Sequence, residues 1–226
     1  MAVLASTIID KAAKQLLDPS NLKWSRAELL SWLNDGLRQI VIMQPTATNT
    51  PVVVQLASGT RQTLPAGGWL LLNIYRNMGT TGTTPGRAVR IISRELLDGF
   101  SPNWHSETAS TVTKHYIYDL QDQAAFYVYP PSTGTNFIEL NYSLQPTDLT
   151  ESQPIPMFDV YQMPLTDYIL YRACNKQVDY APGPQVGQGY LATFMAAINV
   201  KAQSEIQGTP EQGLLPRNPN IGGSIS

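Results

Sequence analysis

Hydrophobic and polar positions repeat with helical periodicity at the start of the chain. Apolar residues recur every three or four positions over 5–17, while Asp10 and Lys14 occupy the other face. This pattern predicts a helix that starts near Thr7 and stops before Pro19, because proline cannot continue a helix.

A second helix is predicted over 25–43, where Ser25 and Glu28 have the spacing of a capping box. Trp24 before the cap and Leu29 after it have the positions of a hydrophobic staple, and Pro45 closes the element. The two helices are expected to pack as an antiparallel hairpin.

The pattern changes between Thr46 and Pro154, where short runs of β-branched and aromatic residues alternate with Gly, Pro, Asn and Thr. Such runs predict strands. The predicted strands are Pro51–Leu56, Arg61–Leu64, Trp69–Arg76, Ala88–Ile92, Thr113–Tyr118, Ala125–Tyr129 and Phe137–Ser143. The loop Asp119–Gln123 between two of them predicts a hairpin.

Two other segments of this β-rich part carry local signals. Met78–Gly86 consists mainly of Gly, Thr and Pro, which predicts an exposed loop. Ser93–Phe100 has the pattern of one or two helical turns, and Leu96 and Leu97 are expected to point inward.

Helical periodicity returns near Asp159. It predicts a third helix with a buried apolar face and charged residues opposite: Leu165, Tyr168, Ile169 and Ala173 on the one side, Asp167, Arg172 and Lys176 on the other. A fourth helix is predicted from about Gln185 to Gln207, and Gly208 is placed to end it.

These elements predict an α+β fold in which the two ends of the chain supply the helices. Residues 1–45 and 155–207 are expected to form a four-helix bundle, and residues 46–154 a β-rich insertion within it. Residues 208–226 are expected to form an extended C-terminal arm.

Composition bears on the partners of this fold. The chain has 226 residues, and 14% of them are charged, against about 25% in typical soluble domains. We therefore expect partners to cover much of the surface. With 15 basic and 17 acidic residues the net charge is −2, and no run of like charges occurs. This argues against sequence-specific binding of DNA.

Cysteine content and hydropathy indicate the cellular compartment in which the chain folds. Cys174 is the single cysteine, which excludes an internal disulfide and favours folding in a reducing cytoplasm. The N-terminal segment lacks the basic start of a signal peptide, and no apolar run reaches the roughly 18 residues of a membrane helix. We expect no membrane partner.

Sequence motifs for catalysis, metal binding or cofactor binding are missing. His105 and His115 fall in a predicted loop and a predicted strand, and with the distant Cys174 they do not have zinc-site spacing. No nucleophile elbow or phosphate-binding loop is found either. We therefore expect no catalytic residue, no metal and no cofactor.

Two carboxylate pairs were weighed as glycosidase-type candidates, Asp119 with Asp122 and Asp148 with Glu151. Both lie in turn-like segments, where Asp usually caps turns, so a structural interpretation is favoured. A set of aromatic residues could form a stacking platform for sugars or bases, although a packed sheet face is favoured. This set is Tyr116, Tyr118, Phe126, Tyr127, Tyr129 and Tyr142.

Three groups of short motifs follow one another along the chain. They are Leu17-Asp18-Pro19, Trp24-Ser25, Glu28-Leu29-Leu30 and Leu33-Asn34-Asp35-Gly36 near the start; Arg90-Ile91-Ile92, Leu96-Leu97-Asp98, 102–105, 114–119 and 126–131 in the β-rich part; and 167–173 in the third helix. Together, over residues 4 to about 205, they resemble the head-to-tail adaptor (connector) proteins of tailed bacteriophages.

The resemblance implies a structural virion protein and not an enzyme. It implies a ring of identical subunits, expected to be a dodecamer, that joins the portal protein to the tail or nozzle proteins at the head–tail junction. Such a ring extends the DNA channel, lets double-stranded DNA pass without sequence-specific binding, and helps to retain the packaged genome. The helical part would face the portal and the β-rich part the tail, after assembly in the host cytoplasm.

Two other functions stay open from the residues alone. One is another tail or baseplate attachment protein, and the other is a tail-associated glycan hydrolase. Oligomeric state separates them, since an adaptor forms a ring alone or on a portal, whereas the enzyme would turn over glycan as a monomer or trimer.

The C-terminal segment carries the candidate contact residues. Gly and Pro recur over 208–226 and only Glu211 and Arg217 are charged, so neither a helix nor a strand is predicted. An untethered terminus is one interpretation. The other is an arm that contacts the portal or a neighbouring subunit through Leu214, Leu215, Arg217, Ile221 and Ile225, because its aliphatic residues exceed what a solvated linker needs.

Overall fold

The computed structural model describes residues 3–119, 121–177 and 183–208, with side chains to residue 204. It confirms the α+β class. The elements in chain order are α1 (Ala5–Gln15), α2 (Arg26–Met43), β1 (Asn49–Gln55), β2 (Ser58–Thr63), β3 (Gly68–Asn77), β4 (Arg90–Ile91), α3 (Arg94–Phe100), β5 (His115–Ile117), β6 (Ala125–Thr133), β7 (Phe137–Leu144), α4 (Gln162–Lys176) and α5 (Gly183–Gly208).

α1 begins two residues earlier than the sequence pattern predicts. No side chain caps it. Its first amides are satisfied by a distant segment instead, since the Ala5 amide donates to the Gln153 carbonyl at 2.9 Å and the Ser6 amide to the Glu151 carbonyl at 3.0 Å. The predicted start at Thr7 is wrong because a long-range partner replaces the local cap.

α2 begins where the sequence predicts. The Ser25 Oγ accepts a hydrogen bond from the Glu28 amide at 3.3 Å, which confirms the serine half of the capping box. The Glu28 carboxylate pairs with Lys176 on α4. α2 ends at Met43, two residues before Pro45.

α4 is the helix on which the helical part is organised, because it packs against α1, α2 and α5. One core joins the four helices, and its buried members include Ile8, Leu33, Leu37, Leu165, Ile169 and Phe194. Gly36 allows α2 to approach α4 closely, since a Cβ there would lie 3.0 Å from Tyr168 Cδ1. Whether the four helices form a regular bundle stays a prediction.

The burial of Asp167 differs from the prediction. The sequence places it opposite the apolar face of α4, yet only 8% of the residue is exposed. α4 is covered by three helices, so little of its circumference is left for charged side chains. Burial raises the pKa of the Asp167 carboxyl above its ordinary value.

The β-rich part consists of two sheets that share one core. The strand orders are β1-β7-β3 and β2-β6-β5-β4. Pairs of neighbouring strands are antiparallel, except that β4 runs parallel to β5. Residues from both sheets meet between them: Leu71, Ile74, Ile138 and Leu140 from one, Tyr116, Phe126 and Val128 from the other.

All seven predicted strands are present, with shifted ends. The predicted hairpin is confirmed, because His115 pairs with Tyr129 and Ile117 with Tyr127. The strand predicted over Ala88–Ile92 is reduced to Arg90–Ile91 at the edge of its sheet.

α3 covers the outer face of the second sheet. Leu97 joins Trp104 and Ile117 in a small third core. Leu96 is 64% exposed, so the expectation that both leucines point inward is half wrong. Adjacent residues lie about 100° apart around a helix, so when Leu97 faces the sheet, Leu96 turns toward solvent.

Candidate interaction surfaces

The carboxylates weighed for catalysis each have a separate structural partner. Asp119 accepts a hydrogen bond from the Gln121 amide at 2.9 Å, and Asp122 pairs with Arg61 at 3.0 Å. Asp148 pairs with Arg38, and Glu151 accepts from Arg26 Nε at 2.8 Å. Asp119 therefore has the turn role that the sequence favours, whereas Asp122, Asp148 and Glu151 form ion pairs that the sequence does not predict.

The two histidines occupy unrelated places. His105 stacks on Trp104 with ring centroids 3.6 Å apart, and its Nδ1 lies 2.8 Å from Thr60 Oγ1. His115 lies on β5 and stacks on Tyr129. Within residues 3–119, 121–177 and 183–208, no three His, Cys, Asp or Glu side chains come together as a metal site would require. The Cys174 thiol is half-buried, and burial raises its pKa.

The six aromatic residues considered for a stacking platform do not share one surface. Tyr116, Phe126 and Tyr142 are buried between the two sheets, and Tyr118 packs against the same core. Tyr127 and Tyr129 pack on the opposite face, against the third core. A continuous stacking platform is therefore replaced by two packed faces, in line with the favoured interpretation.

A first exposed apolar surface lies at the free edge of the second sheet. Ile91 on β4, Leu96 and Phe100 are 65%, 64% and 84% exposed. Ile91 also lines a groove of about 760 Å³, which we call the sheet-edge groove. Half of its lining is apolar or aromatic and half is polar or charged: Ile91, Ile92, Ile117, Tyr118 and Tyr127 on the one hand, Ser93, Arg94, Glu95, Asp119 and Gln121 on the other. Exposed apolar surface of this kind is typical of contacts with other proteins.

A second exposed apolar surface lies in the helical part, where α4 begins. Val160, Met163 and Val200 are 59%, 56% and 65% exposed. They line a groove of about 310 Å³, which we call the helical groove; Tyr161, Pro164, Ala197, Lys201 and Ser204 complete its walls. The sequence periodicity does not reveal it, because the groove forms where residues just before α4 meet α5.

Part of the positive charge at the surface is neutralised by ion pairs. Seven described cations pair with a carboxylate within 4.0 Å: Arg26, Arg38, Arg61, Arg76, Arg94, Arg172 and Lys176. Arg87, Arg90 and Lys114 are exposed near the start of β4 and β5, and have no acidic partner among the described residues. This is a small positive patch.

The contact residues predicted in the C-terminal arm, Leu214, Leu215, Arg217, Ile221 and Ile225, lie outside the described residues. The last described element, α5, ends at Gly208. The two exposed grooves are therefore the surfaces that the structure adds to the sequence-based candidates.

In a comparison with protein families, the family described as SU10 adaptor protein matches the chain over residues 4–213. No curated protein matches the chain. None of the helices in the described part of the chain is both long and apolar enough to cross a membrane.

Proposed function

The chain belongs to the SU10 adaptor protein family of bacteriophage adaptors, and from this premise we propose that it forms the ring that joins the portal to the tail. The ring is a dodecamer that extends the DNA channel and helps to retain the packaged genome. The observation that carries this proposal is the family match, which covers both the helical and the β-rich part.

The fold is suited to a protein held between two partners. The helical part uses both ends of the chain, and the two sheets are inserted between α2 and α4. We assign 1–45 and 155–207 to the portal side, 46–154 to the tail side, and 208–226 to an arm. Each of the two parts has its own core and its own exposed groove with apolar residues in its lining, which supports contacts at both ends.

Closed rings also need two different surfaces on every subunit. In a head-to-tail ring, one patch of a subunit contacts a different patch of the next. The sheet-edge groove and the helical groove are two such unlike apolar patches. Their exposure in a single subunit supports burial in an assembly, as does the low charge content of 14%.

A DNA channel requires a wall that does not hold the genome. The net charge is −2, and seven of the described cations are paired with carboxylates, which limits the number left to neutralise phosphates and release counterions. Passage of double-stranded DNA without sequence-specific binding agrees with this charge pattern.

We further propose that Leu214, Leu215, Arg217, Ile221 and Ile225 of the arm contact the portal or a neighbouring subunit. The family is one of structural adaptors, which supports a virion component with no catalytic residue, located at the head–tail junction after assembly in the host cytoplasm.

Native mass spectrometry and electron microscopy of the purified chain, alone and mixed with portal rings, test the proposal. The expected result is a twelve-subunit ring, formed alone or on the portal. A chain that stays monomeric at every concentration and leaves no density on the portal would contradict it. Turnover of cell-wall or capsular glycan, lost on Asp119→Asn or Asp148→Asn, would establish the hydrolase instead.

A further inference from the structure

The helical groove has walls made of exposed aliphatic side chains. Val160 lies in the short turn before α4, Met163 in the first turn of α4, and Val200 on α5. More than half of each residue is exposed. The groove has a volume of about 310 Å³, room for a pair of aliphatic side chains but not for a folded element.

α5 presents apolar residues on two sides. Phe194 and Ile198 are buried in the helical core. Ala197 and Val200 lie on the side that lines the groove. These two sides are adjacent around the helix, since Val200 lies about 120° from Phe194 at about 100° per residue. Met163 and Pro164 of α4 form the far wall of the groove and leave Val200 65% exposed, so this side of α5 is only partly covered. It can therefore accept a second apolar partner.

The chain that follows α5 has the chemistry of such a partner. Residues 209–226 contain Leu214, Leu215, Ile221 and Ile225 and only two charged residues. From Gly208 back to Val200 the distance along the helix is about 12 Å at 1.5 Å per residue. The six residues from Gly208 to Leu214 span up to about 20 Å. The segment is thus long enough to return to the groove of its own subunit.

Intramolecular docking also has a concentration advantage. A segment joined to its acceptor by a few residues meets it at an effective concentration in the millimolar range. A short apolar contact that would be weak between separate molecules is then well populated. A second copy of the chain has no such advantage before a ring has formed.

We propose that the helical groove is the docking site for Leu214 and Leu215 of the same chain. The arm of an unassembled subunit is then stowed against α4 and α5, and covers apolar surface that would otherwise cause aggregation. The consequence that the arm must leave the groove to reach a partner rests on the proposed function; the docking itself does not.

Disulfide trapping in the full-length chain tests the docking. In a Cys174→Ser background, Val200→Cys with Leu214→Cys places one thiol in the groove and one on the arm. The matched control is Asn199→Cys with Leu214→Cys, since Asn199 is exposed, one residue from Val200 and about 100° around the helix. The two pairs differ by a single residue in sequence separation, so a large difference in cross-linking rate is expected only if the arm occupies the groove.

The expected result is a cross-link within single chains that forms at least tenfold faster for Val200 than for Asn199, at a rate independent of protein concentration. Adding Leu215→Asp, which alters only the arm, should remove the difference. Equal rates for the two positions would overturn the proposal, and so would cross-linked dimers whose rate rises with concentration. The measurement needs no portal, so a result that contradicts the docking does not contradict the proposed ring function.

Discussion

The guanidinium of Arg26 contacts Glu151, a residue 125 positions later in the chain: its Nε donates to Glu151 Oε2 at 2.8 Å. Its Nη1 also donates to Asp10 on α1 at 2.7 Å. One side chain therefore joins α1, α2 and the segment by which the chain returns from the β-rich part. The two hydrogen bonds raise the pKa of Arg26, the bond to Asp10 contributing most.

Replacing Arg26 by Gln should lower the free energy of unfolding by about 1 kcal/mol, since exposed ion pairs contribute about 0.2–1 kcal/mol each and two are lost. Urea unfolding measures the change, and 1 M salt should reduce it. Arg61→Gln is the control, because it removes only the more exposed pair with Asp122. An equal loss of unfolding free energy in both variants would contradict the proposal that Arg26 joins α1, α2 and the returning segment.

Leu33 and Ile42 on α2 form a matched pair for the helical core. Leu33 is fully buried and Ile42 is 67% exposed. Leu33→Ala should cost about 2–5 kcal/mol, through lost transfer energy and the cavity left behind. Ile42→Ala should change stability by less than about 0.5 kcal/mol. Equilibrium unfolding of both variants checks this, and a change below 0.5 kcal/mol for Leu33→Ala would contradict the core assignment.

Asp167 should make stability depend on pH. Because burial raises its pKa in the folded state, the folded chain holds the proton more tightly than the unfolded chain. Stability contributed by this group is therefore present below the ordinary value of 3.8 and is lost as pH rises through the raised pKa. Asp167→Asn should be more stable than the wild type at pH 7 and equal to it near pH 3. If the difference in stability between Asp167→Asn and the wild type does not change with pH, titration of Asp167 does not cause the pH dependence.

The sequence predicts the helices and strands well, but it predicts poorly which of them contact one another. The strands and the serine cap of α2 depend on residues that are neighbours in the sequence, so the local pattern indicates them. The pairing of β1 with β7, and the parallel pairing of β4 with β5, depend on contacts across long loops. The start of α1 differs from the predicted one for the same reason, since its first amides donate to the carbonyls of residues 151 and 153.

The candidate surfaces also combine local features, which the sequence indicates, with long-range contacts, which it does not. The apolar character of Leu96 is visible in the sequence, but its exposure depends on how α3 lies on the sheet. The helical groove joins residues 160–164 to residues 197–204, which no local period connects. In contrast, the apolar excess of residues 214–225 is a property of composition and could be recognised directly.

Binding to duplex DNA should be weak and independent of sequence. Six exposed cations form no ion pair within 4.0 Å among the described residues: Lys11, Lys14, Lys23, Arg87, Arg90 and Lys114. A duplex held at the patch of Arg87, Arg90 and Lys114 would have about three phosphates neutralised. The logarithm of the affinity should then fall with the logarithm of salt concentration with a slope no steeper than about −2.7, at about −0.9 per phosphate. Fluorescence anisotropy with random and phage DNA measures it. Nanomolar affinity at physiological salt would contradict a passive channel.

Deletion of residues 209–226 separates the arm from the rest of the protein. α5 ends at Gly208, and the described core residues lie before residue 199, so the far-UV circular dichroism and melting temperature should stay close to those of the full chain. Attachment to portal-bearing capsids should weaken, because the aliphatic contacts of the arm are lost. Leu214→Asp with Leu215→Asp in the full chain should weaken attachment in the same direction, while Glu211→Gln should not. Co-sedimentation with capsids measures attachment, and a truncated chain that attaches as well as the full chain would contradict the arm contact.

The same deletion also tests whether the arm shields the helical groove. If it does, the truncated chain should bind more of an apolar dye before assembly than the full chain, whereas the Glu211→Gln variant should bind as much as the full chain.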